Sequence, residues 1–240
     1  MRLDRPQRDH ALDLLKWLAL VCMVLDHLRY VGWPLEFLYV PGRLAFPWFC
    51  LAIAANLMRR PGAGLSPRYL GWMLVFAALS EIPYRMFVYP AASLNVMPTL
   101  ALGLIIGSAW QQRSAPMLAL AALALGGAVV FEHWLMFSVP GVLLPLVFLL
   151  VWQRRARWAL LPGLFCLLGN AWEGLFASAR YGDPLAISGI AACLLAPWLG
   201  MALLRSGLRW RVPALRRWAY GFYPVHFLVL LALRVLIRST

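Results

Sequence analysis

The sequence of 240 residues is poor in charge. Only 13% of its residues are Asp, Glu, Lys or Arg, and Lys16 is the one lysine among its 22 basic residues. Hydrophobic residues make up 63% of the chain, and a soluble domain of this length cannot bury so much apolar surface under the polar skin that it needs. The composition therefore excludes a soluble globular domain and predicts an integral membrane protein.

Cysteine is also scarce, and its spacing excludes two kinds of site. Cys22, Cys50, Cys166 and Cys193 lie in separate apolar runs and form no C-x-x-C pair. This spacing favours neither a zinc site nor a disulfide framework, so we predict no metal. We expect each cysteine to be a small buried hydrophobic residue.

Apolar runs separated by charged or turn-forming residues predict an all-α, polytopic transmembrane helix bundle. The bundle forms a single integral membrane domain over residues 1–240, because about nine spans leave no room for a separate soluble domain. Ser66-Pro67 and Ser114-Ala115-Pro116 have the form of helix starts, with a capping hydroxyl followed by proline in the first turn. The predicted spans are approximately 11–31, 42–58, 68–87, 96–112, 115–131, 139–153, 158–174, 186–204 and 219–237. Prolines inside these spans are expected to kink their helices, namely Pro47, Pro83, Pro162, Pro197 and Pro224.

The net charge of +13 comes from arginines that alternate from loop to loop. We attribute it to the excess of Lys and Arg in cytoplasmic loops and not to nucleic-acid binding. The asymmetry predicts a cytoplasmic N-terminus. The predicted cytoplasmic arginines are Arg2, Arg5, Arg8, Arg59, Arg60, Arg68, Arg113, Arg154, Arg155, Arg157, Arg205, Arg209, Arg211, Arg216 and Arg217. Most acidic residues fall toward the other side, namely Asp26, Glu36, Glu81, Glu132, Glu173 and Asp183.

The first span carries ionisable residues that a lipid-facing helix would not tolerate. Lys16 and His27 are eleven residues apart, so they share one helix face and lie about 16 Å apart along the axis. Asp13 is on the same side, whereas Asp26 is about 100° around the helix from His27 and poorly placed to orient it. His27 could act as a general base or an acyl carrier. The alternative is a structural Lys-carboxylate pair with a hydrogen-bonded core histidine.

A second intramembrane histidine, His226, lies in the last span beside the helix-breaking Pro224 and one turn from Tyr223. We predict a functional role for it; the alternative is a hydrogen bond between packed helices.

Glu81 and Arg85, which are i and i+4, could line a polar cavity or form a helix-end salt bridge.

Two further groups of polar residues border predicted spans. Asn95 and Thr99 open the fourth span and offer amide and hydroxyl groups. Glu132 and His133 form a titratable pair at an outer helix end. We include Asn95 and Glu132 among the expected cavity residues.

Five stretches in order along the chain are similar to the TraX family of membrane proteins, which are associated with N-acetylation of conjugative pilin subunits. They are DLLK at 13–16 with DH at 26–27, GRLAFP at 42–47, SEIPY at 80–84, NV at 95–96 with Thr99 and Gly103, and FYPVH at 222–226. The region from Glu132 to Val142 departs from the family pattern. The spacing of Lys16 and His27 also resembles that of a basic residue and a histidine in the large membrane acyltransferase family that modifies surface polysaccharides.

The resemblance implies a multi-pass acetyltransferase of the bacterial cytoplasmic (inner) membrane that uses acetyl-CoA as the donor and a pilin-like membrane protein as the acceptor. His27, Asp26 and His226 are then the candidate catalytic residues, and Lys16 and Arg43 the candidate donor-binding residues. Glu81, Arg85, Asn95, Tyr223 and Glu132 are the candidate walls of the substrate cavity.

Three alternatives stay open at this point. The first is a transporter or flippase, which also places ionisable residues at the midplane but should show an internal repeat that this sequence lacks. The second is a non-catalytic scaffold for pilus assembly. The third is an acyltransferase that acts on a surface glycan or lipid.

Overall fold

Helices form at each of the nine predicted spans. The computed structural model describes residues 8–60, 62, 64–154, 160–171, 174–215 and 218–239, with only the backbone of Arg154. These residues contain no strand. Their helices are α1 (His10–Leu28), α2 (Tyr39–Met58), α3 (Pro67–Phe87), α4 (Val96–Gln112), α5 (Ala115–Val130), α6 (Ser138–Arg154), α7 (Leu161–Asn170), α8 (Leu175–Arg180), α9 (Pro184–Arg205) and α10 (Trp218–Ser239). Two 3-10 turns, Glu36–Leu38 and Glu132–Trp134, precede α2 and α6.

Several sequence predictions fall on residues outside the described ranges. They are Arg2, Arg5, Arg155, Arg157, Arg216, Arg217 and Glu173, together with the ends of the seventh predicted span. The short helix α8 was not predicted. It lies between the seventh and eighth predicted spans and is only 6 residues long.

Among the described residues, three helical stretches are long and apolar enough to cross a bilayer. They are Glu36–Met58, Pro184–Arg205 and Trp218–Ser239. Shorter apolar helices cover Ala115–Val130, Ser138–Gln153 and Leu161–Asn170. The chain is therefore a helical membrane protein, while the number of spans is not confirmed at nine.

The predicted helix starts agree with the structure. Ser66 is the N-cap of α3, its side chain accepts a hydrogen bond from the backbone N–H of Tyr69, and Pro67 opens the helix. Ser114 precedes α5 in the same way, although its side chain makes no capping bond. The prediction for Pro162 was wrong: it lies in the first turn of α7, where its missing N–H costs nothing, and not in a helix interior.

Helix α2 is central to the bundle, because it packs against α1, α4, α6 and α9. Helices α3 and α10 pack against each other, and α10 also contacts α1. The approach of α1 and α2 is so close at Gly42 that a methyl group there would overlap the side chain of Asp26. This packing brings α1, α2, α3 and α10 around the residues described next.

Candidate functional site

The two intramembrane histidines form a pair. His27 near the end of α1 and His226 of α10 are joined by a hydrogen bond, with His27 Nδ1 and His226 Nε2 2.8 Å apart. Their rings are nearly parallel, with centroids 5.0 Å apart. The sequence identified both residues, but only the packing of α1 against α10 makes them one site.

The surroundings of His226 suggest which way this hydrogen bond runs. His226 is 4% exposed, and its Nδ1 is buried with no hydrogen-bond partner among the described residues. Phe222 and Tyr223, one turn earlier in the same helix, place their backbone carbonyls near this ring. They favour a proton on His226 Nδ1, which makes Nε2 the acceptor and His27 Nδ1–H the donor. The lone pair of His27 Nε2 then faces away from the pair.

His27 is more accessible than its partner. Its side chain is half-buried, and its Nε2 has no hydrogen-bond partner among the described residues. An imidazole nitrogen that carries a lone pair can accept a proton from a substrate that reaches it. The arrangement is therefore that of a half-buried imidazole, His27, held in place by a second, buried imidazole, His226.

Aromatic rings surround the pair. The centroid of Phe227 lies 4.9 Å from that of His27, and Phe87 of α3 lies 6.4 Å from His27 on another side. Phe222 is stacked on His226 at 5.7 Å. These rings exclude water from the buried side of the pair and hold both imidazoles in place.

Asp26 does not orient His27, in agreement with its position around the helix. Its carboxylate accepts hydrogen bonds from Arg43 of α2 at 3.2 Å and from Arg29 at 2.9 Å. Arg43 also donates to Oδ1 of Asn170 at 2.6 Å and lies over the ring of Tyr39. This network joins α1, α2 and α7. It holds Arg43 at the last turn of α1, whereas Lys16 lies in the first half of that helix.

Glu81, Asn95 and Tyr223 form a second network, which joins α3, α4 and α10. Glu81 Oε2 accepts from the backbone N–H of Asn95 at 3.0 Å and from its Nδ2 at 2.7 Å, while Oε1 accepts from Arg85 at 2.6 Å. The hydroxyl of Tyr223 accepts from the backbone N–H of Val96 at 3.4 Å. Tyr223 thus connects this network to the histidine pair, since its ring lies 5.4 Å from that of His226.

Lys16 lines a cavity of about 200 Å³ among α1, α2, α3, α4 and α10. Asp13, its expected neighbour, is paired with Arg8 at 2.8 Å, and Lys16 forms no ion pair with any described residue. The cavity extends from Lys16 to Met23 and Tyr223, next to the histidine pair. Of the two residues predicted to bind the donor, only Lys16 lies here.

Glu132 lies apart from these clusters. It belongs to the 3-10 turn before α6, and both Glu132 and His133 are exposed. Neither makes an ion pair or side-chain hydrogen bond with a described residue. The structure does not bring Glu132 to the cavity beside Lys16.

Two contributing residues were missed by sequence reasoning. Asn170 ends α7, and its amide donates to the carbonyl of Cys166 while its oxygen holds Arg43. Arg234 of α10 donates to the carbonyls of Phe87 and Met86 at 2.6 and 3.1 Å, which fixes the end of α3 beside the histidine pair. A polar residue inside an apolar run was the available signal for Asn170, but no feature of the sequence indicated that Arg43 is its partner.

The fold and the site define a helical membrane protein whose polar residues converge inside the bundle from both ends of the chain. The family model described as TraX protein matches residues 11–234, so the chain belongs to the TraX family. No curated protein and no solved structure matches it.

Proposed function

We propose that this protein is a membrane acetyltransferase that moves the acetyl group of acetyl-CoA to the N-terminal amine of a pilin-like membrane subunit. Membership of the TraX family supports this proposal, because the family is associated with conjugation and pilin acetylation. The observation that carries it is the hydrogen bond between His27 and His226, which leaves His27 Nε2 available as a base.

The proposed reaction needs one base that later acts as an acid. The amine nitrogen of the acceptor attacks the thioester carbon, and a C–N bond forms. His27 Nε2 takes the proton that the nitrogen loses, while His226 stabilises the resulting imidazolium by accepting from Nδ1–H. The C–S bond then breaks, and the thiolate of coenzyme A receives the proton from His27.

The proposed topology follows the arginine distribution. Nine spans with a cytoplasmic N-terminus put Lys16 toward the cytoplasm, where the donor is available, in the bacterial inner membrane. The acceptor amine then approaches His27 from the membrane or from the outer side. Arg43, held by Asp26 and Asn170, supports the α1–α2 contact beside His27.

The test is acetyl transfer from radiolabelled acetyl-CoA to pilin by the protein purified in detergent. His27→Ala should lower the rate by about 10²- to 10⁴-fold, the contribution of a positioned base. The control is His133→Ala, which removes an exposed histidine outside the site. Transfer at the wild-type rate by His27→Ala would refute the assignment, and failure of the wild type to bind coenzyme A would favour a transporter or a scaffold.

A further inference from the structure

The cavity beside Lys16 has a lining that differs sharply from one end to the other. Most of its surface comes from apolar side chains of five helices, including Met23, Ile53, Met73 and Leu100. Among the described residues of the lining, Lys16 contributes the only charged group. A cation at one end of an otherwise apolar cavity suits an elongated ligand with an anionic head and a largely uncharged chain.

The two ends of the cavity are also positioned differently relative to the histidine pair. Lys16 lies eleven residues before His27 on α1, which corresponds to about 16 Å along the axis. At the other end, the cavity reaches Met23, one turn before His27, and Tyr223, whose ring lies 5.4 Å from that of His226. A ligand that fills the cavity from Lys16 therefore brings its far end to Tyr223 and Met23, which are the lining residues next to the histidine pair.

The segment between α9 and α10 adds positive charge at the Lys16 end. It crosses the start of α1, where the N–H of Val212 donates to His10 and Trp17 donates to the carbonyl of Pro213. Leu215 of the same segment lines the cavity. Arg209 and Arg211 are exposed on this segment, a few residues before Leu215.

We infer that this cavity binds the pantetheine arm of an acyl-CoA donor, with the phosphates near Lys16 and the thioester beside Tyr223 and His27. The inference rests on the proposed function and adds the path by which the donor reaches the base. The arm is a narrow chain of methylene and amide groups, which suits apolar walls interrupted by the Asn56 amide and tyrosine hydroxyls. Arg43 is not part of this path, because it is bound to Asp26 and does not line the cavity.

A filled cavity tests the inference directly. Ala52 lines the cavity, and Ala52→Phe places a ring where the arm would lie. Equilibrium binding of radiolabelled acetyl-CoA to the purified protein in detergent should weaken at least about tenfold, because an excluded arm loses its buried contacts. Adenosine 3′-phosphate 5′-diphosphate, which has the phosphates but no arm, should bind Ala52→Phe and wild type equally.

Two further variants complete the design. Ala122→Phe adds the same bulk to an exposed position on α5 and should leave acetyl-CoA binding unchanged. Lys16→Met should weaken binding of both acetyl-CoA and the arm-less nucleotide, since both carry phosphates. If Ala52→Phe does not yield folded protein by gel filtration, Ala219→Phe blocks the same cavity from α10.

The outcomes separate the inference from the proposed function. Wild-type affinity for acetyl-CoA in the folded cavity variants overturns the inference and leaves the proposed function standing. If the wild type binds no acetyl-CoA, the proposed function is wrong and the inference fails with it. Selective loss of acetyl-CoA binding in the variants, with the nucleotide still bound, supports both.

Discussion

His27 Nδ1 lies 2.8 Å from His226 Nε2, although 199 residues separate the two histidines in the chain. The pair joins the first and last long helices, α1 and α10, which otherwise make few contacts with each other. Among the described residues, the buried His226 has no second hydrogen-bond partner, and Nε2 of the half-buried His27 has none either. In the proposed reaction, His27 is therefore the base and His226 is its positioning partner.

A positioning role for His226 predicts that its substitutions lower the kcat of acetyl transfer less than loss of His27 does, and by different amounts. His226→Phe removes the acceptor for His27 Nδ1–H while keeping an aromatic ring among Phe222 and Phe227. The kcat of acetyl transfer should fall, but by less than the roughly 10²- to 10⁴-fold expected for loss of the base itself. His226→Gln keeps an acceptor near the position of Nε2 and should recover part of the activity. Steady-state kinetics should show the change in kcat with little change in the KM for acetyl-CoA; equal activity of the Phe and Gln variants would contradict the positioning role.

The ion pair of Asp26 with Arg43 predicts an asymmetric loss of stability. Asp26→Asn removes the carboxylate that pairs with Arg43 in a largely buried place and leaves Arg29 with its longer contact to Glu36 at 3.8 Å, which should cost about 3 kcal/mol of unfolding free energy. Arg43→Gln should cost less, because Asp26 keeps Arg29. Thermal unfolding in detergent measures both, and the double variant Asp26→Asn/Arg43→Gln should be less destabilised than the sum of the single changes. An additive result would mean that the pair contributes no coupling energy.

The two kinds of contact that Glu81 makes, with Asn95 and with Arg85, can be compared by their effect on the free energy of unfolding. Glu81→Ala removes the acceptor of two N–H groups of the buried Asn95, which should cost about 1–3 kcal/mol. Arg85→Ala breaks the salt bridge to the same carboxylate, but the Arg85 side chain is 44% exposed, so the loss should stay below about 1 kcal/mol. The same unfolding assay compares the two. Equal losses would show that the ion pair, and not the bonds to Asn95, makes Glu81 important.

The positions of the helices could be predicted because hydrophobicity and helix capping are local properties of the chain. All nine predicted apolar runs contain a helix, and Ser66 caps α3 as expected. The ends were less predictable where the signal was weak: α1 ends at Leu28, before the predicted boundary, and α7 is shorter than the predicted span. That all nine predicted spans cross the bilayer stays a prediction, since three helical stretches among the described residues are long and apolar enough to do so.

The site was predicted as a set of residues but not as a geometry. His27 and His226 were identified because a histidine inside an apolar run is costly unless it has a partner or a function. The sequence could not indicate that each is the other's partner. For the same reason Lys16 and Arg43 were assigned to one ligand, although Arg43 is held by Asp26 and Lys16 lines the cavity.

The sequence by itself determined that this is an apolar helical protein with a few ionisable groups that must avoid lipid. Composition and the spacing along each helix are enough for that conclusion, because both act within a single segment. Only the tertiary structure decided that the two histidines form a pair and that Tyr223 lies between this pair and the cavity. These contacts depend on how α1, α3, α4 and α10 pack together, and no periodicity within one helix encodes which residue of another helix will face it.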